Sequence, residues 1–94
     1  MKDVPTTLLG FSRRLSEGEL CLTEMGDGSG VILDLEGHQV LTLNASGVVL
    51  VNAIASGVLG LEDLVSVLRA RFHVDRDTAE HDVQEFLEEL GGYV

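Results

Sequence analysis

Five residues constrain this chain more than any others: Gly26-Asp27-Gly28-Ser29-Gly30, set between two short apolar runs at residues 20–25 and 31–35. Three glycines in five positions supply the positive-φ backbone that a hairpin turn requires. A second, shorter turn at Glu36-Gly37 leads into His38-Gln39-Val40-Leu41-Thr42-Leu43, so residues 19–44 predict a three-strand antiparallel meander. On strand alternation Val31, Leu33 and Leu35 share one face and Leu41 and Leu43 share one face of the next strand; these are the expected core faces. Asp34, Gln39 and Thr42 are expected outside.

The segment that follows is ambiguous locally, because Gly47-Val48-Val49-Leu50-Val51 is β-branched and strand-like. Three features favour a helix: Asn44 and Ser46 as candidate N-caps, Gly57 where a C-terminal glycine belongs, and Val48, Val51, Ile54 and Ala55 at helical spacing. Its apolar circumference predicts a central helix buried nearly all round. Leu61, Leu64, Val65, Leu68 and Phe72 mark the stripe of a second helix, with Glu62 and Asp63 in its first turn and Arg69 and Arg71 in its last. Asp75 or Asp77 caps a third, whose stripe is Ala79, Val83, Phe86, Leu87 and Leu90; it stops at Gly91-Gly92, and Tyr93-Val94 are expected to fold back. Strands followed by helices without alternation define an α+β domain, a three-stranded antiparallel sheet followed by three helices. Residues 18–94 are assigned to it. Residues 1–17 show no persistent period and are read as an N-terminal arm lying on the domain through Leu8, Leu9, Phe11 and Leu15.

Charge excludes several functions. Across 94 residues, 6 Lys+Arg against 16 Asp+Glu leave −10, while 45% hydrophobic content is that of a folded chain. No apolar run approaches the ~20 residues of a membrane span, and Met1-Lys2-Asp3 does not open a secretory signal. A winged helix that sits on DNA needs a basic recognition face, whereas the last helix carries Asp77, Glu80, Asp82, Glu85, Glu88 and Glu89 against Arg76. No nucleic-acid or membrane partner is expected.

Catalysis has little to work with. His38, His73 and His81 are scattered, and His81 with Glu85 reads as a surface pair. The single cysteine, Cys21, reads as a small buried hydrophobe and points to a reducing cytoplasm. The glycine cluster lacks the lysine and following helix of a phosphate loop, and an acyl-carrier reading fails because the serine that would bear the prosthetic arm is missing. No catalytic residue, metal site or cofactor is assigned.

What remains is an edge. The strand at residues 38–43 runs into the helices, so an outer strand beside a helix forms a groove offering ladder hydrogen bonds and side-chain pockets to an extended peptide. The alternative is an edge blunted by the N-terminal arm.

The ordered set Gly30-Val31-Ile32-Leu33-Asp34-Leu35, Val40-Leu41-Thr42-Leu43-Asn44-Ala45-Ser46-Gly47 and Ile54-Ala55-Ser56-Gly57 resembles the PqqD-like family. The resemblance continues through Leu61-Glu62-Asp63-Leu64-Val65, Leu68, Asp82-Val83, Phe86-Leu87 and Leu90, with Gly60 standing where the family usually caps its second helix with Thr or Ser. It implies a winged-helix-like domain, a RiPP recognition element, that performs no chemistry. Such a domain binds the leader of a ribosomally made precursor peptide and delivers it to a modifying enzyme: a radical SAM protein, as in pyrroloquinoline quinone (PQQ) synthesis, or a leader protease and cyclase, as in lasso-peptide synthesis. In the family the leader adds as an antiparallel strand on the third strand and packs against the third helix. Here that implies Gln39, Val40, Leu41, Thr42 and Leu43, with Asp82, Glu85, Phe86 and Glu89 on the helix side. Phe86 is equally readable as core. The expected state is a monomer or a strand-swapped dimer, and the rival functions are an enzyme-docking subunit without leader binding and, less favoured, a DNA-binding winged helix.

Overall fold

The computed structural model describes residues 6–91. In order the elements are α1 (Thr6–Ser16), β1 (Leu20–Glu24), β2 (Gly30–Asp34), β3 (Gln39–Leu43), α2 (Ala45–Ala55), α3 (Leu61–Phe72) and α4 (Arg76–Gly91). The sheet is an antiparallel meander, β1-β2-β3, and the helices cover one side of it. This is the expected α+β architecture with one helix added in front; the predicted fold-back of Tyr93-Val94 lies outside the described residues.

That added helix corrects the reading of the N-terminal arm over Thr6–Ser16; its first five residues lie outside the described residues. Leu8, Phe11 and Leu15 stand at i, i+3 and i+7, a helical stripe that Gly10 and the neighbouring threonines obscure. Leu8 and Phe11 are fully buried and Leu15 packs against the core, whereas Leu9 points to solvent. Phe11 meets Phe86 of α4 edge to face, with ring centroids 6.3 Å apart. α1 therefore belongs to the hydrophobic core rather than lying over its edge.

The hairpin turn uses its glycines as expected at Gly28, whose φ is 94°. Gly30 serves a different need. A Cβ there would stand 2.8 Å from the Thr23 carbonyl oxygen and 2.9 Å from a methyl of Val48, so its bareness lets α2 close onto the sheet.

The face of β2 is the reverse of the one expected. Gly30, Ile32 and Asp34 point inward, while Leu33 and Leu35 are exposed. Directly opposed residues share a face, and β3 places Leu43 opposite Gly30, Leu41 opposite Ile32 and Gln39 opposite Asp34. The inward Leu41 and Leu43, correctly expected, thus force their β2 partners inward too. Asp34 tolerates its place because it is fully engaged: its carboxylate accepts from the Gly37 N–H at 2.9 Å, the Glu36 N–H at 3.2 Å and Nη2 of Arg14 at 2.6 Å. These contacts, the Gly37 N–H foremost and the Arg14 charge after it, hold its carboxyl below the usual carboxylate range. Cys21, opposite Leu33, goes to the outer face and is exposed, against the expectation of burial.

The helices follow their stripes closely. Asn44 caps α2, accepting from the Gly47 N–H at 2.9 Å, and Gly57 adopts φ 102° just past the helix end. Val48, Leu50, Val51 and Ile54 are buried, but Asn52 and Ala55 face solvent, so α2 is central without being enclosed all round. α3 buries Leu64, Val65 and Leu68; its last stripe residue, Phe72, is 38% exposed, because the helix runs past the edge of the core there. Gly60 gives α3 no side-chain cap. Of the two candidate caps for α4 it is Asp75 that accepts, from the Thr78 N–H at 2.8 Å, and α4 buries Ala79, Val83, Phe86 and Leu90.

Candidate functional site

β3 is the outer strand of the sheet: among the described residues no other strand lies beyond it. Which of its backbone groups face outward follows from two hydrogen bonds on the far side. The Met25 N–H donates to the Ser29 carbonyl at 2.8 Å and the Leu35 N–H to the Glu19 carbonyl at 3.0 Å. Antiparallel pairs alternate, so Ser29, Val31, Leu33 and Leu35 turn their backbone groups to β1, and Gly30, Ile32 and Asp34 turn theirs to β3. On β3 it is then Gln39, Leu41 and Leu43 that bond to β2. Val40 and Thr42 direct theirs away from β2, toward the sheet's outer rim.

Beside that rim runs a cleft of about 240 Å³, lined by Thr42, Leu43 and Asn44, by Ser46 and Gly47 of α2, and by Asp82, Glu85, Phe86 and Glu89 of α4. Its shape follows from how the chain turns. Asn44 ends β3 and caps α2, so the chain breaks sharply there, and Gly47 lets α2 start within 3.2 Å, for a Cβ, of Leu43. α4 then lies across the open side with one carboxylate-bearing face toward the strand.

Six of the nine residues expected at the site meet in this cleft: Thr42, Leu43, Asp82, Glu85, Phe86 and Glu89. Gln39 and Leu41 lie at the other end of β3, around a small void shared with Phe11, Leu20, Ile32, Asp34 and Leu90. Val40 shows its side chain on the outer sheet face, 56% exposed. Leu41, Leu43 and Phe86 are core residues, and the edges of Leu43 and Phe86 form the floor of the cleft. Asn44 and Ser46 escaped the sequence reading of the site because a capping role explained them, and Gly47 because it was read only as part of the following segment; that they sit at a strand-to-helix break beside an edge was the available signal.

The cleft is acidic and, among the described residues, uncompensated. Its lining holds three carboxylates and no Lys or Arg. Glu85 accepts from Nε2 of His81 at 2.8 Å, the surface pair expected from their spacing. Among the described residues Asp82 and Glu89 have no cationic partner, and Arg76, the only Lys or Arg on α4, is committed to Glu62 and Glu80 at 2.6 and 2.8 Å. No group of three or more His, Cys, Asp or Glu among the described residues could hold a metal ion, and no described helix is long and apolar enough to cross a membrane. What this arrangement offers chemically is a strand edge with an acidic wall, which suits recognition of an extended chain.

Three comparisons bear on it. A family model described as coenzyme PQQ synthesis protein D (PqqD) matches residues 29–93. No curated protein is similar enough to count as a relative. Among solved structures the chain is similar to one described as TbiB1 in complex with the TbiA(beta) leader peptide, at 27% identity, covering 80% of this chain and 85% of that one, with a TM-score of 0.67.

Proposed function

The chain belongs to the PqqD family, and from that premise we propose that it binds the leader of a ribosomally synthesised precursor peptide by strand addition to β3 and delivers it to a modifying enzyme. The observation that carries this reading is the coincidence of two features in one place: an outer strand whose Thr42 backbone groups face away from β2, and a cleft between that end of the strand and α4. A protein of similar fold solved with a leader peptide supports it. The domain itself supplies the platform and no chemistry. Its enzyme is a radical SAM protein or a leader protease and cyclase, the former if the product is PQQ and the latter if it is a lasso peptide. The exposed thiol of Cys21 suits a reducing compartment, and the cytoplasm is the proposed location.

Titrating ¹⁵N-labelled protein with the leaders of candidate precursor peptides tests the reading. The amides of Thr42 and of residues 82–89 are expected to shift together. A leader that binds while leaving those amides in place refutes strand addition at β3.

A further inference from the structure

We infer that the guest strand is basic where it faces α4: it presents Lys or Arg at alternate positions within a stretch of about three residues. This rests on the peptide-binding reading above and adds the chemistry that selects the peptide. Backbone pairing along β3 is nearly blind to sequence, so selectivity has to come from the side chains beside it. In this cleft those are Asp82, Glu85 and Glu89, with Thr42, Asn44 and Ser46 as neutral neighbours and Phe86 as floor.

Spacing supports the same conclusion. Asp82, Glu85 and Glu89 lie on one face of α4, and at 1.5 Å per residue they span about 10 Å, with Glu85 and Glu89 about 6 Å apart. Side chains on one face of an extended strand recur about every 7 Å. Two cations two residues apart therefore match two of these carboxylates, and an acidic guest at the same positions would face three like charges with no Lys or Arg among the described lining residues to relieve them. Phe86 is only 4% exposed and packed against Phe11, so the floor has little room for a large apolar anchor at this end. The net charge of −10 already makes a second copy of this chain a poor guest for such a wall.

A display library of random twelve-residue peptides, selected on the purified protein, tests this without knowledge of the natural leader. Enriched peptides should shift the β3 amides and carry Lys or Arg at i and i+2. Three neutralising substitutions in the wall, Asp82→Asn with Glu85→Gln and Glu89→Gln, should weaken a selected peptide roughly ten-fold, as the loss of two part-exposed ion pairs would. The same charge change made away from the cleft, at Glu24→Gln, Glu36→Gln and Glu88→Gln, should leave binding within about two-fold, which separates a local wall from the global charge. Peptides that move the β3 amides without basic enrichment overturn this inference alone, as does equal weakening by the two triple variants. Peptides that bind and leave β3 untouched overturn the strand-addition reading and this inference with it.

Discussion

Replacing Thr42 with proline isolates the backbone contribution to peptide binding. Thr42 is exposed, and its N–H points away from β2, so proline removes no bond of the β2–β3 ladder and sits where edge strands accept it. The expected stability cost is about 1 kcal/mol, for narrowing φ. Binding suffers twice. One ladder bond is lost, worth about 0.5–1.5 kcal/mol net, and the pyrrolidine ring stands in the path of a strand that must approach to about 4.8 Å. Together these give about 2–3 kcal/mol, or roughly 30- to 150-fold in Kd. Thr42→Val keeps the shape and the N–H and should bind within about three-fold. Fluorescence anisotropy with a labelled leader peptide reads the affinities, and urea melts confirm that both variants fold. A folded Thr42→Pro protein that binds within three-fold of the parent, or a Thr42→Val protein that loses as much, would show that the rim of β3 does not pair with the guest.

Phe11→Ala should destabilise the protein by about 3–5 kcal/mol in urea unfolding, since a fully buried ring against Phe86 leaves a cavity; a loss under 1 kcal/mol would return α1 to the status of a loose arm. Asp34 titrates below the usual range in the folded chain, so its stabilisation is complete above about pH 4 and is lost as pH falls through the lower folded value. Asp34→Asn should therefore flatten the acid limb of a Tm-against-pH curve between pH 2 and 5, and parallel limbs in the two proteins would remove Asp34 from that account. Cys21 should react with a thiol reagent in the native protein at close to the rate measured in urea; protection by more than about a hundred-fold would contradict its place on the open sheet face.

Local chemistry settled a good deal before any fold was seen. The glycine cluster required a hairpin, the capping pattern at Asn44 and Gly57 outweighed a β-branched run, and the stripes of α3 and α4 named nearly all of their buried residues, because each of these signals acts within a few residues of chain. Charge excluded a phosphate-gripping role on the same footing. Of the candidate site, the strand followed from the argument about an unpaired edge, whereas the residues of the helix face came from the family resemblance and not from local chemistry.

Other features were decided only by the assembled fold. Alternation sorts a strand into two faces without saying which is inward; for β2 the choice was made by direct opposition to Leu41 and Leu43, and it placed Asp34 inside and Cys21, Leu33 and Leu35 outside. The helicity of residues 6–16 depended on α4 and α2 being present to cover Leu8 and Phe11, a burial that offsets Gly10 and two threonines. The cleft itself exists only because the break at Asn44 and the bareness of Gly47 bring distant segments side by side. Short-range preferences are written along the chain, but which surface meets which is a property of packing, where long-range burial outweighs them.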